Sequence, residues 1–239
     1  MNNPYTQQGE MSYTLGLFPS LTLLEKKPSL AKKLLLSEKA KGEGVQKLRD
    51  LCEQNNCPIV YADKVLKRLS GKDNCYAGVM FEKWESALSA TSPHVVLHNP
   101  MDAGNLGTII RTLLGFNIVD LAIITPAVDH FDPKVVRATM GAHFSINFAT
   151  FNNFEDYQMK YKRNLYPFML DGKPLDTLET PIKTPYTLIF GNEGQGLPDY
   201  FIKLGQAVKI PHSNQIDSLN LSVAVAIGAY TFIQKEKMQ

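Results

Sequence analysis

The stretch IFGNEGQGLP (residues 189–198) closes an apolar run and sets three glycines, Gly191, Gly194 and Gly196, ahead of Pro198. Glycine-rich loops after strands cradle phosphates with backbone N–H groups. The P-loop, however, ends in Gly-Lys-Ser/Thr, and this one ends in Gly196-Leu197-Pro198. A dinucleotide fingerprint needs G-x-G-x-x-G. The spacing here is G-x-x-G-x-G, with Glu193 where a pyrophosphate would be repelled. What survives is a tight turn that needs positive φ or close main-chain approach. The surrounding sequence has to say what it holds.

Working outward, the second half alternates apolar strands such as HVVLHN, VDLAIIT and YTLIFG with helical stretches. Near-continuous apolar strands imply a parallel sheet covered on both faces. The last helix is apolar almost all round from Leu219 to Ile227, so it needs burial on more than one side, which a subunit interface would supply. The front of the chain reads as a compact α/β unit, with helices at LGLFPSLTLLEKK, GEGVQKLRDLCEQNN and DKVLKRLSG and strands at KKLLLSE, CPIVYA and CYAGVMF. EKWESALSATSP reads as the connection. The expected division is 1–85, a linker at 86–93, and 94–239.

Composition excludes several classes. Apolar residues make up 44% and charged residues 20%, ordinary values for a globular chain. No apolar run approaches the roughly 18 residues of a membrane span, and MNNPYTQQGEMSY lacks the basic start and apolar stretch of a leader, so a cytoplasmic protein is expected. Cys52, Cys57 and Cys75 form no C-x-x-C pair and read as reduced and structural. His94 and His98 share a strand face but lack a carboxylate, so no metal is expected. Residues 1–92 carry 13 Lys+Arg against 10 Asp+Glu, and residues 93–239 carry 12 against 13. This mild asymmetry fits an RNA-gripping front half, with Lys26/Lys27, Lys32/Lys33 and Lys64/Lys67/Arg68 near element ends.

Two further islands accompany the loop. NPMDAGNLGTIIRT carries Asn105 at an expected helix N-cap and Arg111 six residues on, within an apolar stretch where a buried guanidinium would need an anion. IPHSNQIDSLNLSVAVA carries Ser218 and Asn220 at the entry to the last helix. Each alone has a structural explanation in capping or ion pairing.

In this order, N-x-G-x-x-x-R, G-N-E-G-x-G and I-P…S-L-N resemble the three signature motifs of the SpoU-TrmH family of RNA ribose 2′-O-methyltransferases, in the SPOUT class. KVVRATMGAHF (residues 134–144) resembles that family's R-A-S-x-G-A segment, with Thr139 for the usual serine. The likeness covers essentially 94–239. The front half is similar to the ribosomal-protein-like RNA-binding domain often fused to such enzymes; CYAGVMF (residues 75–81) sits where that domain tends to carry H-Q-G-V-x-A, and the His and Gln are absent.

The resemblance implies an α/β fold: a trefoil-knotted parallel sheet with helices on both faces, preceded by a small α/β domain. It implies S-adenosylmethionine held by the main chain of Gly191, Ile210 and Leu219, with Asn192, Glu193, Gly194, Gly196, Pro211 and Asn220 shaping the pocket. The glycines would then admit the cofactor's close approach. The catalytic set would be Arg111, Asn105, Glu193, Ser218 and Asn220. A guanidinium is a very poor base. Arg111 would therefore bind the neighbouring phosphate and orient the hydroxyl, Asn105 would hold the ribose or the arginine, and Glu193 would fix Arg111 or the motif loops or act directly as base. A homodimer acting on RNA, ribosomal rather than transfer RNA, completes the expectation. The alternatives are a transfer-RNA enzyme of the same family and a non-catalytic RNA-binding protein.

Overall fold

Unbroken apolar runs become strands buried on both sides, and amphipathic runs become the helices that cover them. In the computed structural model, which describes residues 4–237, the order is β1 (Met11–Tyr13), α1 (Leu17–Lys26), β2 (Ala31–Leu36), α2 (Glu43–Gln54), β3 (Ile59–Tyr61), α3 (Asp63–Ser70), β4 (Ala77–Glu82), β5 (His94–His98), α4 (Ala103–Gly115), β6 (Asp120–Ile124), α5 (Pro133–Ala138), β7 (Asn147–Phe151), α6 (Phe154–Lys160), β8 (Asn164–Pro174), β9 (Tyr186–Phe190), β10 (Val208–Lys209) and α7 (Leu221–Lys237). The first three residues of the stretch read for a leader lie outside the described residues.

Two compact units result, and their borders differ from the expected ones. The first comprises the chain up to Trp84 together with Asp129–Ser145; the second comprises Glu85–Val128 and Ile146 onward. The R-A-T-x-G-A segment thus belongs with the front of the chain. Phe131, Val136 and Phe144 enter a core made by Leu23, Leu34, Leu48, Val79 and Phe81. The Trp84 ring meets Phe131 edge-on at 5.0 Å, and Phe81 meets Phe144 at 5.4 Å. Lys83 pairs with Asp129 at 3.1 Å, both largely buried, and the Tyr5 hydroxyl donates to the same carboxylate. Gly141 sits at φ +93, and a Cβ there would press on the Thr22 side chain, so no larger residue fits. Local periodicity reveals the short helix at Pro133–Ala138. It does not reveal which core receives it.

The first unit's sheet runs β1-β4-β2-β3, antiparallel except for the β2–β3 pair. Relocating 129–145 sharpens the charge division. The first unit carries 15 Lys+Arg against 11 Asp+Glu, and the second 10 against 12. All three cysteines are free and buried.

The second unit is a six-stranded sheet in the order β10-β8-β9-β5-β6-β7, parallel throughout. β6 and β9 are buried along their whole length, as their apolar runs predict. Val96, Ala122, Ile124 and Ile189 project to one face beneath Phe154, Tyr157 and Phe201. Strand alternation sends Val95, Leu97, Leu121 and Leu188 to the other, where α4 and α7 pack on each other and α7 on β9. Helices therefore cover both faces. α7 buries Leu221, Val225, Gly228, Ala229 and Phe232, while Val223 and Tyr230 face solvent. Residues 86–93 are bound into this unit: Ser86 bonds both ways with the Phe148 backbone, at 2.9 and 2.7 Å, and the Asp120 carboxylate accepts from Ser89 N–H. Among the described residues, no helix is long and apolar enough to cross a membrane.

Candidate active site

The glycine-rich loop leaves β9 at its carboxyl end and folds back on itself. Asn192 and Gly196 exchange backbone hydrogen bonds at 3.2 and 2.9 Å. A Cβ on Gly191 would collide with the Gly196–Leu197 backbone, and Gly196 lies at φ +68. Asn192 Oδ1 accepts from the N–H groups of Gly194 and Gln195 at 2.8 and 3.2 Å. Gly191 and Gly196 are thus required by the loop's own crossing, whatever the loop holds, whereas a Cβ on Gly194 would meet only Asn192 Oδ1 at 3.4 Å.

The loop is tied outward by two side chains. Asn192 Nδ2 donates to the Asn99 carbonyl at 2.7 Å, just past β5. Glu193 accepts from the backbone N–H of Met101 and Asp102, both at 3.2 Å, and from Asn105 Nδ2 at 3.3 Å. The carboxylate therefore stands at the amino end of α4, where the helix dipole favours it. The N-cap is Asp102, whose Oδ1 accepts from Asn105 N–H at 2.7 Å. Asn105 lies inside the first turn and is not the cap expected from sequence.

The third island closes the arrangement. Asn220 Nδ2 donates to Asn105 Oδ1 at 3.0 Å, and Asn220 Oδ1 accepts from Ser222 N–H and Oγ–H at 2.9 and 2.7 Å, capping α7 as its position predicts. Glu193, Asn105 and Asn220 thus form one hydrogen-bonded chain across three distant stretches of sequence. Arg111 stands apart. It lies on the exposed face of α4 and makes no hydrogen bond or ion pair among the described residues. Glu193 fixes the motif loops and does not fix Arg111.

A cavity of about 410 Å³ opens beside the loop. Of the sequence-derived residues, Gly191, Asn192, Glu193, Gly194, Gly196, Ile210, Ser218 and Leu219 line it; Pro211, Asn220, Asn105 and Arg111 do not. Sequence reading missed the wall formed by residues 168–171. β8 pairs with β9 only as far as Pro167 and joins β10 from Lys173, so the strand between splays open. There Phe168 stacks on Phe190 at 4.2 Å. A strand pattern carries no sign of such a splay. Asp171, Glu193, Asp199 and Asp217 face the cavity against the single cation Lys209, which gives it a negative lining. His94 and His98 form no metal site. His94 is buried, its Nδ1 is 3.0 Å from Tyr157 Oη and its Nε2 2.6 Å from the Ser89 carbonyl, and His98 packs edge-on against Phe201. No group of three His, Cys, Asp or Glu among the described residues can hold a metal ion.

Residues 92–230 match the model of the SpoU rRNA methylase family, over more than half of the chain. The chain belongs to that family. An uncharacterised tRNA/rRNA methyltransferase of Synechocystis is 30% identical over 154 residues, 63% of this chain and 56% of that protein. A 23S rRNA (guanosine(2553)-2′-O)-methyltransferase of Bacillus subtilis is 30% identical over 151 residues, 61% of this chain and 60% of that protein. The match thus spans less than two thirds of either relative. The crystal structure of an AdoMet-bound rRNA methyltransferase from Sinorhizobium meliloti has the same fold, with a TM-score of 0.78 at 24% identity over 94% of this chain and 87% of that one. The SpoU span contains every residue of the Glu193–Asn105–Asn220 chain. It also contains Asp129–Ser145, so a SpoU segment supplies part of the first unit's core.

Proposed function

We propose that this SpoU family member is an RNA methyltransferase that moves a methyl group from S-adenosylmethionine to a ribose 2′-hydroxyl. The observation that carries the reading is the Glu193–Asn105–Asn220 chain beside a negatively lined cavity. A volume of about 410 Å³ suits a nucleoside-sized ligand. The stacked Phe168–Phe190 pair offers an apolar wall for a base, and the surplus of carboxylates favours a cationic ligand. The main chain of Gly191, Ile210 and Leu219 would hold the cofactor, which supplies a methyl group on a sulfonium.

The chain's own residues divide into braces and one free group. Asn105 engages both ends of its amide, with Glu193 and Asn220, and so acts as a brace and not as a ribose ligand. Glu193 receives N–H donors from Met101, Asp102, Asn105 and Asn192, which fill the four lone-pair sites of a carboxylate. It is therefore unsuited to accept the hydroxyl proton. Arg111 is free to grip the phosphate next to the target ribose and orient the hydroxyl, whose proton leaves to phosphate or water. Ser218, on the cavity wall, completes the approach to the ribose.

The reading includes a cytoplasmic homodimer, joined through the face of α7 that carries Val223 and Tyr230, a trefoil knot formed where the chain returns from β10 to α7, and ribosomal RNA as substrate. Calorimetry with S-adenosylmethionine against NAD and ATP tests the cofactor. Methyl transfer to ribosomal and transfer RNA from cells lacking the gene tests the substrate. Binding of NAD instead of S-adenosylmethionine would overturn the proposal, and a monomer by sedimentation would overturn the dimer.

A further inference from the structure

Two of the three cysteines form a site that the proposed reaction does not use. At the end of α2 the Asn56 N–H donates to the Glu53 carbonyl at 3.2 Å, and the Cys57 N–H donates to the Cys52 carbonyl at 2.8 Å. Asn56 lies in the left-handed region at φ +52. These bonds and that conformation make a Schellman motif, with Cys52 and Cys57 at the two positions whose side chains meet across the turn. Apolar side chains ordinarily fill that contact. Here two thiols fill it and hydrogen-bond to each other. The 2.8 Å backbone bond keeps the two Cα atoms within about 7 Å, the limit that a disulfide spans.

The sulfurs lie just under the surface. Cys52 is fully buried in the first unit's core, whereas Cys57 keeps 5% exposure between the exposed Asn56 and Pro58. The Cys52 S–H donates to Cys57 and, with the Leu34 N–H, draws the Cys57 thiol below its ordinary range against the opposing effect of burial. The same thiol–thiol bond, together with burial, holds Cys52 up. Cys57 is therefore the nucleophile and Cys52 the resolving thiol. Cys75 gives the contrast. It is similarly buried, but its S–H donates to the Ala77 carbonyl at 3.6 Å and burial raises it.

We infer that Cys52 and Cys57 are a peroxide-responsive thiol pair that closes reversibly to a disulfide. The Cys57 thiolate attacks one hydroperoxide oxygen, the O–O bond breaks, and the released oxygen takes up a proton and leaves as water, giving Cys57 sulfenic acid. The Cys52 sulfur then attacks the Cys57 sulfur. The S–S bond forms, the S–O bond breaks, and hydroxide leaves with the Cys52 proton as water. Two thiols are oxidised and one hydrogen peroxide is reduced to two waters. A dithiol reverses the bond by exchange, and a reducing compartment keeps such pairs as thiols between exposures.

Hydrogen peroxide treatment of the full chain, followed by alkylation in denaturant and peptide mapping, tests this. Cys52 and Cys57 fall on one tryptic peptide, residues 50–64. Peroxide should leave that peptide unalkylated and lighter by two hydrogens, at least about tenfold faster than Cys75 is oxidised, and dithiothreitol should restore it. Oxidised glutathione, too bulky for a sulfur with 5% exposure, should close the pair at least about tenfold more slowly than peroxide. Cys52→Ser should stop Cys57 at the sulfenic acid, trapped by dimedone, and Cys57→Ser should leave Cys52 reduced. In the wild type, equal oxidation of all three cysteines, a sulfinic acid in place of the disulfide, or closure only in urea would overturn the proposal. None of these readouts involves S-adenosylmethionine or RNA, so the result stands apart from the methyltransferase reading.

Discussion

The two ends of the second sheet carry hydrogen-bonded networks of opposite kind. At the amino ends, Tyr157 Oη lies 3.0 Å from His94 Nδ1 and 2.7 Å from Thr187 Oγ1, and Arg163 donates to the carbonyls of Ser89, Ala90, Ser92 and Tyr186. At the carboxyl ends, Glu193, Asn105 and Asn220 join three loops in a largely exposed chain beside a cavity. Burial lowers the His94 imidazole to about 4 and pushes the Tyr157 hydroxyl up. Perturbed titration usually flags functional sites. In this protein it flags the end that holds the sheet shut, while the chemistry is assigned to the open end.

Four measurements test that contrast. Arg111→Ala should lower methyl transfer about a thousandfold with Tm and S-adenosylmethionine affinity nearly intact; retained activity would remove Arg111 from the mechanism. Arg163→Met should do the reverse, costing about 3 kcal/mol in urea unfolding through orphaned carbonyls and leaving transfer per folded molecule unchanged. Asn105→Ala should fall between, lowering kcat about thirtyfold through misplacement of α4, with a stability change within about 1 kcal/mol. The smallest effect is in pH. The His94 folded-state value lies below the ordinary 6.5, so stability is full above pH 6.5 and falls as pH drops toward 4. About 1 kcal/mol should be lost between pH 7 and 5.5, and His94→Gln should flatten that slope.

The parts visible in the sequence were those whose residue type reports its own geometry. Asn220 capped the helix it precedes, and the near-continuous runs of β6 and β9 became fully buried parallel strands. Family likeness located the three islands, but which atoms join them was not legible, because Asp102 and Asn105 are both cap formers and only the backbone decides between them. The glycine spacing did not show that Gly191 and Gly196 serve the loop's own crossing, because that contact exists only once the loop has folded back. Arg111, set among apolar neighbours in sequence, turns to the solvent face of α4 because 3.6-residue periodicity separates it from Ile109, Ile110 and Leu113. Residues 168–171 became a cavity wall only because β8 changes partner midway.

The Asp129–Ser145 excursion has a consequence for inheritance. Phe131, Val136 and Phe144 each contribute about 1.5–3 kcal/mol to a core whose other members lie before residue 85, against a typical domain margin of about 5–15 kcal/mol. The front unit cannot be exchanged as a cassette at residue 84, because the recipient would have to bring matching side chains at 131, 136 and 144. Replacing the front unit would therefore require rewriting residues 129–145 of the methylase sequence as well.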